Sequence, residues 1–202
     1  MNVTNETKLP RYNETAAGNI TTEGGNISGT NLNSTQLTKR WAAFYGDVMG
    51  NIILKGATGS NYVYSWAWSP SAGGTICLST NSTIGSFTAF PANGSDIDTA
   101  WGFAPVTTDS GTNTFNATNC TMSIGSSAVS NAAYADTGQA GGFMTCAIKS
   151  ASAPAKAEMM FCSDIISGGS AWNGNPVDFE VLVPTPETYS TTETYYFYAN
   201  LD

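Results

Sequence analysis

Nine short runs rich in β-branched and aromatic residues set what this chain can fold into: GNIILK, YVYSWAWS, GGTICLST, IGSFTAF, TNTFNAT, GGFMTCAIK, AEMMFCSDII, VDFEVLVP and TETYYFYANL. Gly, Ser, Asn and Pro clusters separate them, and none is long enough to make a substantial helix. Many short strands with turn signals between them predict an all-β fold, a single antiparallel β-sandwich of immunoglobulin-like or jelly-roll-like type. GNIILK and YVYSWAWS flank the Gly-rich GATGSN and read as a hairpin. Helical signals are confined to DIDTAWGF and SSAVSNAAYAD, each able to hold a turn or two. In the last run, Tyr195, Phe197, Ala199 and Leu201 share one face and Tyr196, Tyr198 and Asn200 the other. Both faces are sizeable, so this strand is expected inside a sheet.

The N-terminal stretch reads differently. Six acceptor triplets of the N-x-[ST] type, at Asn2, Asn5, Asn13, Asn19, Asn26 and Asn33, fall within the first 35 residues, and four more follow at Asn81, Asn93, Asn116 and Asn119. With 18 Asn and 48 Ser plus Thr in 202 residues, random placement predicts roughly four. The excess indicates N-glycosylation outside the cell. Residues 1–25 are read as a glycosylated tail, followed by a transition, NISGTNLNSTQLTKR, with sparse apolar residues. The folded part is placed from RWAAFYGDVMG onward, within a domain spanning 26–202. With only Val3, Leu9, Tyr12, Ile20 and Ile27 among polar neighbours, the tail cannot bury enough apolar surface to order itself. It is long enough to reach an adjacent subunit and add a strand there, with those five residues in the receiving pockets. A strand on its own sheet and a free spacer are the other readings.

A net charge of −8 opposes binding to nucleic acid or to anionic membrane surfaces, and no run approaches a membrane span. The N-terminus lacks the basic segment and apolar core of a signal peptide, so the chain is expected to be the mature form. With no His, the commonest general base near neutral pH and the commonest transition-metal ligand are missing. Four cysteines, none in a C-x-x-C pair, indicate two disulfides rather than a metal site. A hairpin centred near Pro154 sets Cys146 opposite Cys162, which predicts a Cys146–Cys162 bridge and leaves Cys77–Cys120 by elimination.

The segments TKRWAAFYGDVMGNIIL, DSGTNTF, VDFEVLVP and TYYFYANL resemble, in this order and at similar separations, a group of uncharacterised secreted archaeal surface proteins, over roughly Thr38 to Leu201. That resemblance implies location and fold rather than mechanism. In organisation, a polar N-terminal tail before an acidic β domain also resembles the subunits of archaeal threads and bundling pili. This second resemblance implies that an N-terminal strand of one subunit completes the sheet of the next.

Catalysis has little to build on. A nucleophilic hydroxyl without His needs Lys, Asp or Glu as base, and no G-x-S-x-G occurs. Asp96 with Asp98, or Glu158 with Asp164, are carboxylate pairs of the kind glycosidases use, yet they read as surface loops. The segment 109–113, DSGTN, offers oxygen ligands for calcium but lacks the repeated Asp and closing Glu of an EF-hand. Trp66, Trp68, Trp101 and Trp172 with Tyr62 and Tyr64 are a candidate sugar platform. Four of them share one strand face, which reads as core. The expectation is therefore a non-enzymatic, extracellular structural subunit with no cofactor or metal. Its partners are copies of itself in a head-to-tail homopolymer, and it carries covalent N-glycans. The alternative is a monomeric surface adhesin or surface-layer protein with a glycan-binding aromatic face.

Overall fold

The structure is a computed structural model that describes residues 12–14, 20–22, 26–55, 62–83, 87–105, 107–124, 127–186 and 193–201, with backbone alone for 12–14, 20–22, 26–31, 50–55 and 62–66. In chain order the strands are β1 (Tyr12–Glu14), β2 (Ile20–Thr22), β3 (Asn26–Gln36), β4 (Trp41–Lys55), β5 (Tyr62–Trp68), β6 (Gly74–Ser79), β7 (Phe90–Pro91) and β8 (Ala117–Ile124). They continue with β9 (Ser127–Asp136), β10 (Met144–Lys149), β11 (Met159–Asp164), β12 (Gly169–Ser170), β13 (Pro176–Val177), β14 (Phe179–Pro184) and β15 (Tyr196–Leu201). Two helices, α1 (Gly94–Trp101) and α2 (Gly111–Thr114), lie between β7 and β8.

The fold is all-β, with two antiparallel sheets packed together. The larger runs β15-β6-β11-β10-β9-β8, with β7 also pairing β10. The smaller is organised by β4, whose 15 residues exceed what one partner strand covers. It takes β3 along one edge, while β14 pairs with its residues 41–46 and β5 with its residues 50–55. Alternation along the strands supplies the core between the sheets: Ile76 and Leu78 of β6, Phe161 of β11 and Ala147 of β10 face Phe179, Val181 and Val183 of β14 in one buried cluster. Phe161 meets Trp101 and Phe115 edge-on at 5.7 and 5.8 Å, and Phe197 meets Phe44 at 5.5 Å.

The intervening residues of the large sheet are also covered. Cys77, Met160, Cys162, Cys146 and Ile148 form a second cluster with Cys120, Met122, Val129 and Ala132, so β8 and β9 contribute to the far face of the same sheet. This is why β6 is buried at every position and β11 at every position but Asp164. A third, small cluster of Phe143, Ala171 and Val177 packs with Tyr45.

The disulfides are Cys77–Cys162 and Cys120–Cys146, which corrects the expected Cys146–Cys162 and Cys77–Cys120 bridges. The hairpin reasoning placed Cys146 opposite Cys162 correctly, but Cys162 is equally opposite Cys77 on its other side. A residue on an inner antiparallel strand directs its N–H and C=O toward one neighbour and forms the closer, non-hydrogen-bonded pair with the other. The Cα–Cα separation of 4.1 Å identifies Cys77 as that closer partner. Cys146 then bonds Cys120, 6.0 Å away between Cα atoms. Register shifts flank Cys120 on β8, and Asn119 and Asn131 adopt positive φ of 96° and 62° there. Such bulges bend a strand and increase its twist.

Several local expectations change. The transition is strand β3 from Asn26, an 11-residue edge strand held by backbone pairing to β4, with Leu32 packed against the main core. SSAVSNAAYAD is strand β9, whose Val129, Ala132, Ala133 and Ala135 are buried against two clusters. TNTFNAT divides into the single turn α2 and the start of β8, because Ser110 caps the turn by accepting from the Asn113 N–H at 3.2 Å. Among the described residues 87–90 of IGSFTAF only Phe90 is in a strand. β15 is an edge strand, pairing β6 alone among the described residues, although Phe197 packs in the main core and Tyr198 in the disulfide cluster. Both faces are sizeable because both are covered.

Candidate assembly and glycosylation surface

The described structure gives the proposed catalytic and calcium-binding residues structural partners. Asn93 and Asp96 form a reciprocal capping box at the start of α1, and Asp96 also pairs with Lys149 at 2.8 Å. Asp98 is buried and accepts from the Gly111 N–H at 2.6 Å and from the Thr112 N–H and hydroxyl at 3.0 and 2.6 Å. It thereby ties α1 to α2. Gly94 and Gly111 make that approach possible, since a Cβ on Gly94 would lie 2.5 Å from the Gly111 carbonyl. Glu158 accepts from the Ala155 N–H at 2.8 Å, and Asp164 is exposed. Asp109 bridges Arg40 at 3.3 Å while its carbonyl accepts from Trp41 Nε1, and Asn113 donates to the Thr107 carbonyl. No group of three His, Cys, Asp or Glu suited to a metal occurs among the described residues.

The aromatic candidates are dispersed. Trp68 is buried in the main core, Trp101 packs on Phe161 under Lys156, and Trp172 is exposed beside β14, where its N–H donates to Glu180 at 2.8 Å. Tyr62, Tyr64 and Trp66 lie on β5 opposite Lys55, Leu54 and Ile52, with their side chains outside the described set. Sequence reading missed Glu180, which alternates with Phe179 and Val181 in VDFEVLVP and is fully buried. Desolvation pushes its carboxyl up to about 7, opposed by hydrogen bonding from the Trp172 backbone N–H. A charged residue within a run of β-branched and aromatic residues was the available signal. Next to this region a hollow of about 360 Å³ is lined by Leu32, Asn33, Tyr45, Asp47 and Asn175 among others.

What remains is the sheet edges. β14 is an edge strand with two of its outward groups closed by side chains: the Leu182 N–H donates to Thr145 Oγ1 at 2.9 Å, and the Pro184 carbonyl accepts from the Tyr195 hydroxyl at 2.6 Å. Pro184 itself has no N–H to satisfy. On the large sheet, the Gly74 carbonyl turns away from β15 to accept from Ile165, so the alternation along β6 directs Thr75, Cys77 and Ser79 toward β15. The opposing Tyr196, Tyr198 and Asn200 answer them. Phe197, Ala199 and Leu201 therefore direct their N–H and C=O groups to the outer edge, beside the exposed Tyr196. No described strand pairs there.

The glycan acceptors fall in a pattern around these edges. Asn26 and Asn33 are on β3, the outer strand of the smaller sheet, and Asn33 is exposed. Asn116 immediately precedes β8, the outer strand of the larger sheet, and Asn119 is on it; both are exposed. Asn81 follows β6 and accepts from the Thr83 N–H of its own triplet, and Asn93 is the α1 cap. Asn13 is on β1, while Asn2, Asn5 and Asn19 lie outside the described residues, as do Val3 and Leu9. Tyr12 and Ile20 lie on β1 and β2, which pair with each other as a short antiparallel ladder, and Ile27 is on β3, opposite Gly50. β1 and β2 therefore run in opposite directions in the single chain. Comparison with protein-family models, curated proteins and solved structures finds no match.

Proposed function

We propose that this chain is a secreted, disulfide-bonded and glycosylated structural subunit of an extracellular filament, joined head to tail when the N-terminal segment of one copy adds a strand to the next. The observation that carries this reading is the outer edge of β15, where Phe197, Ala199 and Leu201 present main-chain groups without a partner strand among the described residues. An exposed edge is an aggregation hazard unless it is covered, and a donated strand both covers it and links copies in a non-closing series. The disulfides support an oxidising compartment, and no helix among the described residues is long and apolar enough to cross a membrane. The domain division at 1–25 and 26–202 belongs to the same proposal.

Negative-stain microscopy of native material tests it, with hydrogen exchange on assembled and dispersed full-length chain. Filaments with newly protected amides at 197, 199 and 201 are expected. Deletion of residues 2–25 should abolish assembly and leave a folded domain. Native filaments from the deleted chain, or no filaments from the intact one, overturn the proposal. The exposed Trp172, at 38% of its full accessibility, favours a second reading as a glycan-binding adhesin. Tryptophan fluorescence that shifts on adding oligosaccharide to a strictly monomeric protein would select that reading.

A further inference from the structure

Strand addition is specific only if it occurs at one edge, and the two sheets offer several. Side chains close β14, as described above. Among the described residues no side chain is seen to close the outer edges of β3 and β8, and both of these edge strands carry acceptor triplets. On β8 the placement has a backbone cause. Thr118 pairs with Ala133 and Cys120 with Ala132, so Asn119 is the extra residue of a bulge. Its φ of 96° lies in the left-handed region that Asn tolerates better than most residues. Asn116, Thr118, Asn119 and Thr121 are all exposed, leaving both triplets accessible on the outer strand. On β3, Asn33 and Thr35 share a face because residues i and i+2 of a strand point the same way. β15 carries no triplet at all.

We infer that N-glycans on Asn33, Asn116 and Asn119 act as edge guards, sterically excluding strand addition at β3 and β8. Of β5 and β15, two edges without a triplet, the latter is the joint of the proposed filament function on which this inference rests. Glycans are bulky and solubilising. A sugar rooted on an edge strand crowds the volume that an added strand, about 4.8 Å away, would need, so the filament reading requires the acceptors of the donated segment to face away from the receiving strand. Solubility of a chain with only 11% charged residues then relies on sugar at the places where charge guards the edges of other sheet proteins.

The test uses full-length protein from a glycosylating host. Peptide mass spectrometry should find sugar on Asn116 or Asn119 and on Asn33. The double variant Thr118→Val, Thr121→Val removes both β8 triplets while keeping β-branched residues, and Thr35→Val removes the Asn33 triplet of β3, leaving the one at Asn26 in place. Each should associate at about tenfold lower concentration in sedimentation velocity, the shift that roughly 1.4 kcal/mol of edge pairing produces. Amides of the unguarded strand, 117–124 or 26–36, should gain protection on association. If the valine variants do not fold, Asn116→Gln with Asn119→Gly serves instead, since Gly accepts the left-handed backbone. Unglycosylated native sites, variants no more prone to associate than the parent, or protection of β8 in fully glycosylated assemblies would each overturn the inference. A parent that never assembles ends the filament reading, while the variants still decide whether the sugars guard the edges.

Discussion

β14 and β15 are edge strands of opposing sheets that meet across the core, where Phe179 and Phe197 lie edge-on at 6.4 Å, yet they are finished differently. Every residue of β14 is buried, and its outward Leu182 N–H and Pro184 carbonyl are satisfied by Thr145 and Tyr195. β15 buries only Ala199 outright and leaves alternate main-chain groups facing outward. Closure of an edge is thus a matter of side chains brought from elsewhere in the fold. One flank is closed from within the fold and the other has no described partner strand.

The largest effect expected on this contrast comes from the covalent tie behind the open flank, where Cys77 of β6 lies opposite Tyr198 of β15. Cys77→Ala with Cys162→Ala opens a link between residues 85 apart, for which loop entropy indicates a loss of about 4 to 5 kcal/mol. Denaturant unfolding checks the magnitude. Peptide mapping of the parent should recover Cys77 with Cys162 and Cys120 with Cys146. A Cys146–Cys162 peptide pair would remove the reason given for the register of the large sheet.

Glu180 gives the next largest effect and assigns it to pH. Its carboxyl is raised from 4.5 to about 7 by burial, so the folded state holds its proton more tightly than the unfolded chain. Below about 4.5 the group is protonated in both states and the stability it allows is fully present. As pH rises through 7, that stability is lost, by roughly 3 kcal/mol at 1.36 kcal/mol per pH unit. Glu180→Gln should therefore raise the melting temperature at pH 8 and leave it nearly unchanged at pH 4.5. Equal effects at both pH values would mean that the carboxyl is not buried as described.

Sequence and structure agree where a local pattern decides the outcome and part where a distant segment does. The hairpin of β4 and β5 and the opposition of Cys146 to Cys162 were legible from alternation and turn chemistry. The disulfide pairing was not, because it depends on β6 lying against the other edge of β11, a contact across 85 residues of sequence. β9 was misread because alanines packed between two cores look like a helical run. For the surface, the acceptor triplets were legible as a motif, but their position on outer strands emerged only from sheet order. The burial of Glu180 depends on a loop that returns from residues 168–177 to cover it.

The closed edge can be opened without changing its shape. Thr145→Val keeps the volume and branching of the side chain but removes the acceptor for the buried Leu182 N–H. An unsatisfied buried donor costs about 1 to 3 kcal/mol, visible as a lower denaturation midpoint at unchanged slope. A loss near zero would show that β14 does not depend on Thr145 for closure.

The smallest effect on the isolated chain belongs to the open edge, and it sharpens the comparison most. Tyr196 is 42% exposed and on β15, outside the buried clusters. Tyr196→Ser removes aromatic surface from the proposed joint while leaving the β6 ladder, the core and the disulfides in place. Exposed substitutions of this kind generally change stability by no more than about 0.5 kcal/mol, so the melting temperature of dispersed chain should hardly move. Assembly should weaken, because an exposed aromatic beside unpaired main-chain groups is the apolar contact a docking strand would bury. Filament length and the concentration at which filaments appear measure that loss. If the variant melts markedly earlier, β15 belongs with β14 as a structural edge. If it melts and assembles like the parent, the joint lies away from Tyr196, and β15 is open without being used there.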